Sequence, residues 1–383
     1  MELECALSDI QKVYIEPTSF CNLQCKMCFR SAWFDEEIGE MNGDLFNKLI
    51  HEIKAIDSIK TIFFGGIAEP FAHKDLLSMI KRAKETGKKV ELITNGLLLN
   101  EDIIRELIDL NLDMLWVSVD GCDMESYRNI RIGGNFEKLL KNLRLIKKFK
   151  MDLDAKTKLG LTFVAMKSNI EELPKIMALA HYVGAVELKI SNVMPFSREM
   201  EKETLYYNSL SMQWFSNSFN ATDGRYMNFT NIDMPIMDYW EKPMLTVLGK
   251  VLHNGKVVKL GENYVQRKSR FCKFINDASL FVKWDGEISP CMSLLHNNVT
   301  YVNNTERKVL HCSFGNIRDS SLLEIWNKED YVDFRKRVLN FEFSHCLRCC
   351  LCERAQGNVS DCYGNKHPTC GACLWSEGFI QCP

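Results

Sequence analysis

The chain has 383 residues, of which 46% are hydrophobic and 26% charged, and its formal net charge is −2. This is an ordinary globular composition, long enough for two or three domains, and its charge balance attracts neither nucleic acid nor an anionic membrane. The opening MELECALSDI lacks the basic head and apolar core of a signal peptide, and no apolar run nears the roughly 18 residues that span a bilayer, so a cytoplasmic protein is expected.

Apolar, β-branched runs predict strands at 13–17, 61–64, 90–94, 114–119, 159–165 and 186–190. Between them, helical periodicity marks 44–56, 74–86, 101–110, 136–149 and 170–183. Strands alternating with helices imply parallel βαβ units. These close into a barrel or open into a doubly wound sheet, with ligands at the C-terminal strand ends in either case. Residues 206–265 are less periodic and are expected to form a bridging region. Farther on, 280–291 reads as a hairpin turning on Asp285-Gly286, and 320–326 and 331–339 read as helices.

The 16 cysteines are distributed unevenly: three lie between 21 and 28, eleven between 272 and 382, and only Cys5 and Cys122 stand apart. A disulfide scaffold is normally short and secreted, so clustered cysteines here read as metal ligands. The last 38 residues hold eight cysteines but few large apolar side chains. Metal is therefore expected to supply much of the folding energy there, and the chelated chain should be cut readily after about residue 265. Cys21, Cys25 and Cys28 follow the spacing C-x3-C-x2-C. Three thiolates on one loop suit three corners of a cubane 4Fe–4S cluster, with the fourth iron open to a small molecule. Structural zinc usually takes four protein ligands, and an outside fourth cysteine is the other alternative.

This motif and those downstream resemble the radical S-adenosylmethionine superfamily. The resemblance implies that the cofactor's amino and carboxylate groups chelate the open iron. One electron from the reduced cluster then releases methionine and a 5′-deoxyadenosyl radical, which takes a hydrogen atom from substrate. The segment Gly65-Gly66-Ile67-Ala68-Glu69-Pro70 resembles the family's glycine-rich loop, with Glu69 toward the cofactor's ammonium. Thr94, Asn95, Ser118 and Asp120 stand at matching strand ends, and Arg131 matches an arginine that meets the cofactor carboxylate. Met27 replaces the usual aromatic residue before the third cysteine.

Cys272, Gly286-x4-Cys291 and Cys346-x2-Cys349 resemble the SPASM auxiliary-cluster extension, which implies one or two further 4Fe–4S clusters. Cys352, Cys362, Cys370, Cys373 and Cys382 complete the candidate ligands, and Cys312 and Cys350 are further cysteines of the region. Zinc remains the alternative for one site. The resemblance thus implies an α/β chain with a partial (β/α)6 TIM-like barrel over residues 1–205. A bridge over 206–265 and a small cysteine-rich iron–sulfur domain over 266–383 would follow.

Glu16-Pro-Thr, Met27-Cys28-Phe-Arg30, Asn192-Val-Met-Pro195 and the ending Cys362–Pro383 further resemble maturases linked to tungsten-containing aldehyde oxidoreductases. This implies S-adenosylmethionine, a low-potential donor such as ferredoxin or flavodoxin, and a tungstoenzyme or its pterin as partners. Arg30, Lys189 and Arg198 are the cations placed by position to meet an anionic pterin. A peptide or protein side-chain maturase is the rival enzyme. A non-catalytic iron–sulfur carrier is the rival of another class, and the open fourth site argues against it.

Overall fold

A computed structural model of the chain describes Leu7 and residues 9–207, 209, 231–238, 241, 244, 247, 258–260, 271–347 and 352–381. Each apolar run forms its strand: β1 (Lys12–Ile15), β3 (Thr61–Phe64), β4 (Lys89–Thr94), β5 (Met114–Ser118), β7 (Lys158–Ala165) and β8 (Glu187–Asn192). Two-residue strands β2 (Gln24–Cys25) and β6 (Arg131–Ile132) pair antiparallel outside the main sheet. The main sheet also takes in β9 (Asn231–Met234), β10 (Val258–Leu260), β11 (Ser279–Val282) and β12 (Ile288–Ser289), in the order β10-β9-β8-β7-β5-β4-β3-β1-β11-β12. All its pairings are parallel except β11 with β12. This is the partial barrel expected, and strands from all three expected regions share its one sheet.

The helices cover the outer face. Asn42, Asn100 and Asn135 each cap one, their side chains accepting from Leu45, Ile103 and Lys138 amides at 2.8, 2.9 and 2.9 Å. Such caps contribute about 1 kcal/mol each. Helix Gly43–Ala55 buries Leu45, Phe46, Leu49, Ile50 and Ile53, an apolar stripe at helical spacing. Burying each such side chain stabilises the fold by about 1.5–3 kcal/mol. The helix expected over 170–183 is instead a short 3-10 turn, Ile170–Glu172, followed by Leu173–Val183. Pro174 in its first turn has no amide hydrogen, and none is needed there.

Strand alternation turns Tyr14 into the barrel, where it stacks on Phe281 with centroids 4.2 Å apart and meets Phe63 at 4.9 Å. Lys12 lies over Tyr14 and Phe63 at 4.5 and 4.7 Å and pairs with Glu91 at 3.5 Å. The hairpin at Asp285-Gly286 forms as expected, with Gly286 at φ +94°. A second hairpin lies outside the expected elements: β13 (Asn298–Val302) and β14 (Thr305–Val309) turn on Asn303-Asn304. Both asparagines adopt positive φ, the backbone of a two-residue hairpin turn. One hydrophobic core runs from β1 through the helices to Leu374, Trp375, Phe379 and Ile380.

Candidate active site at the barrel mouth

The parallel register brings the C-terminal ends of β1, β3, β4, β5 and β7 together. There a cavity of about 260 Å³ opens, with Cys21, Cys25 and Cys28 on its wall. The cysteine loop is held from several sides. The β2–β6 pairing sets Cys25 beside Arg131. Asn95 Nδ2 donates to Asn22 Oδ1 at 2.7 Å, and the Glu69 amide donates to Phe20 O at 3.1 Å. Burial pushes the Cys25 thiol up to about 11, against the pull of Arg131, and raises Cys28 as well. A metal taking these sulfurs therefore displaces protons.

Glu69 is buried and holds three donors. Thr94 Oγ1 and the Phe71 amide donate to Oε1 at 2.6 and 3.1 Å, and the Asn95 amide donates to Oε2 at 2.7 Å. Burial still raises its pKa, those donors opposing. Gly66, Glu69, Thr94, Asn95, Ser118 and Arg131 all line the cavity. Gly65 does not: a methyl there would stand 2.6 Å from Ile93 and Phe63, so the strand end must be bare to pack. Asp120 does not line the cavity either. It is fully buried behind Arg131, whose Nε and Nη2 both lie 2.6 Å from Asp120 Oδ2. Its Oδ1 accepts from the Val164 amide at 2.7 Å. A desolvated carboxylate requires such partners, so Asp120 orients the arginine.

The far wall comes from residues that no sequence motif marks as part of this site. Met292, Trp375, Ile380 and Gln381 reach the cavity from the auxiliary region. Asn192 Nδ2 anchors this cover by donating to Phe379 O at 2.7 Å and Ile236 O at 2.9 Å, and Trp375 meets Phe29 edge-on at 6.0 Å. Of the three expected cations, Lys189 lines the cavity. Arg198 is exposed, and Arg30 lies 5.7 Å from the Trp33 ring.

Cys272, Cys291, Cys370 and Cys373 surround a second cavity of about 20 Å³. Burial raises all four thiols, Cys272 to about 12, and neighbouring cysteines add to the shift at Cys272, Cys291 and Cys370. Cys346 lies nearby, its sulfur 3.4 Å from where a methyl on Gly371 would stand. Cys352 and Cys362 are exposed. Cys312 is buried elsewhere, and Cys122 is half-buried. Cys5, Cys349, Cys350 and Cys382 lie outside the described residues.

Among the described residues, no three His, Cys, Asp or Glu side chains converge on a single-ion position. The cysteines line two cavities, and thiolate sulfurs are the donors that iron–sulfur clusters take. Three thiols around a larger chamber leave room for a further ligand, while four around a small one form a closed set.

The family models agree with this geometry. Residues 15–180 match the radical SAM superfamily, and residues 272–352 match the SPASM iron–sulfur cluster-binding domain. The chain belongs to the radical SAM superfamily: it is an enzyme whose cofactors are a 4Fe–4S cluster, S-adenosylmethionine and auxiliary iron–sulfur clusters. Within that class it is 32% identical, over 97% of its length and 96% of the relative's, to the tungsten-containing aldehyde ferredoxin oxidoreductase cofactor-modifying protein of Pyrococcus furiosus. It is 30% identical to the AdoMet-dependent heme synthase of Methanosarcina barkeri, over 49% of this chain and 52% of that protein. In fold it resembles anSMEcpe with bound AdoMet, with a TM-score of 0.58 and 17% identity over 96% of this chain and 95% of that one. Among the described residues, no helix is long and apolar enough to cross a membrane.

Proposed function

We propose that this enzyme matures a tungsten-containing aldehyde oxidoreductase or its tungstopterin cofactor. The observation that carries the reading is the end-to-end likeness to the Pyrococcus furiosus cofactor-modifying protein, 32% over 97% of the chain. That span takes in both the barrel and the region that closes its mouth.

In this reading Cys21, Cys25 and Cys28 hold the catalytic cluster. Glu69 receives the cofactor's ammonium with the acceptor capacity that its three protein donors leave. Arg131, steadied by Asp120, offers Nη1 to the cofactor's carboxylate. Gly66, Thr94, Asn95 and Ser118 complete the pocket, and bare Gly65 lets the strand end behind it pack on Ile93 and Phe63. When bound, the reduced cluster and S-adenosylmethionine supply the one-electron cleavage that yields a 5′-deoxyadenosyl radical. Phe29, Met292 and Trp375 exclude water from the chamber, and Lys189 offers a cation on the substrate side. Cys272, Cys291, Cys370 and Cys373 hold one auxiliary cluster. Cys346, Cys352 and Cys362, with Cys349 and Cys382, are the ligands available to a second. A low-potential ferredoxin or flavodoxin supplies the electron in the cytoplasm.

The test is deletion of the gene in its native host, followed by purification of the tungstoenzymes. Normal protein levels with lost activity and an altered mass of the extracted pterin are expected. Fully active enzymes with an unchanged cofactor would refute the role.

A further inference from the structure

Outside the cavity, a buried charge cluster lies between the barrel and the auxiliary region. His296 is wholly buried, with Nε2 2.9 Å from Glu16 Oε1 and Nδ1 2.8 Å from Glu36 Oε2. A neutral imidazole donates from only one nitrogen. Carboxylates at both nitrogens therefore select the imidazolium, which donates to each. Trp33 stacks on the ring with centroids 3.9 Å apart. Glu36 also accepts from the Asn297 amide at 2.6 Å and lies 3.3 Å from Lys283 Nζ. Lys283 in turn faces Asp285 at 3.4 Å and Glu287 at 4.0 Å, and His311 lies 3.7 Å from Glu287. Burial opposes the charge on His296, but Glu16 and Glu36 outweigh it and hold the pKa at about 9.

Glu16 stands against the loop that lines the site, and Glu36 lies on the segment that follows its third cysteine. Glu16 follows β1 directly, and its Cγ and Oε1 stand 3.0 Å from where a methyl on Gly66 would lie. Glu36 belongs to the segment after Cys28, which is further tied to the auxiliary region through Phe34 N donating to Asn297 O at 3.4 Å. We propose that Glu16 and Glu36, joined by the His296 imidazolium, are positioning residues through which the auxiliary region sets the Gly66 loop and the segment after the third cysteine. Affinity for S-adenosylmethionine then depends on the auxiliary region being seated. This rests on the reading of Gly66–Glu69 as the cofactor's loop.

The sign of the pH effect follows from the raised pKa. The imidazolium's contribution is complete below the ordinary value of 6.5 and is lost as pH rises through about 9. The experiment uses the full chain with reconstituted clusters and measures 5′-deoxyadenosine formation against S-adenosylmethionine concentration from about pH 7 to 10, spanning the titration. At neutral pH, His296→Gln should raise KM roughly tenfold, the scale of a lost charge-assisted bond, with kcat and iron content near wild type. Wild-type KM should climb through about pH 9, and the variant's should show no such step; the cofactor's own amine titrates identically for both proteins. Glu36→Gln should move the wild-type step down by about 1–3 pH units, because a neighbouring carboxylate is lost. If His296→Gln does not retain iron, that shift alone decides the matter. An unchanged KM in His296→Gln, or an unmoved step in Glu36→Gln, overturns the proposal. Glu69→Ala separates the two readings: unchanged affinity there sinks the cofactor-loop reading, whereas unchanged affinity in the His296 variant alone sinks only the coupling.

Discussion

Glu69 holds its place because Thr94, Asn95 and Phe71 all aim donors at one desolvated carboxylate. Truncating it removes the negative partner for an ammonium and strands those donors. Glu69→Ala should therefore weaken S-adenosylmethionine binding by about 1.5–3 kcal/mol, the worth of a charge-assisted hydrogen bond. Equilibrium dialysis checks this, and an unchanged dissociation constant would reject the contact. The cysteine spacing and Glu69 were legible because loop motifs carry their chemistry locally. The place of Asp120 was not, because only the folded register shows that Arg131 stands between it and the cavity.

The elements that join the barrel to the auxiliary hairpin meet at a bare surface. The Trp284 indole lies directly over Gly39, where an added methyl would strike its ring. Gly39 also ties the chain after β1, its carbonyl accepting from Ser19 N at 2.9 Å. Gly39→Ala must push the hairpin or the loop aside, so we expect a loss of about 1–3 kcal/mol, as for other overpacked cores. A lowered Tm at unchanged metal content checks it, and an unchanged Tm would show that the indole moves freely. Long periodic elements such as Gly43–Ala55 were readable from the sequence. Some short ones were not: β14, Thr-Glu-Arg-Lys-Val, holds a single apolar residue, and β13 depends on pairing with it across the Asn303-Asn304 turn.

Across the whole molecule, the metal-dependent part is smaller than the cysteine count suggests. β11 pairs with β1 along its full length and shares the core with the barrel. Helix Glu329–Asn340 buries Tyr331, Phe334 and Val338 in that same core. The region beyond it depends on a few apolar anchors, among them Phe343, Trp375 and Phe379. Chelation should therefore expose proteolytic sites after Asn340, not from about residue 265 as composition implied. Limited proteolysis with mass analysis distinguishes the two boundaries. Equal resistance along the apo chain would show that metal contributes little to this fold.

The sequence by itself determined the strand–helix alternation, the three-cysteine loop and the loops that face it, because each depends on residues near one another in the chain. Tertiary structure alone decided that β11 completes the sheet beside β1, that Cys370 and Cys373 join Cys272 and Cys291, and that His296 bridges Glu16 and Glu36. These pairings span tens to hundreds of residues. They are selected by the shared core and by the need of buried charges and thiols for partners, neither of which has a period or spacing along the chain.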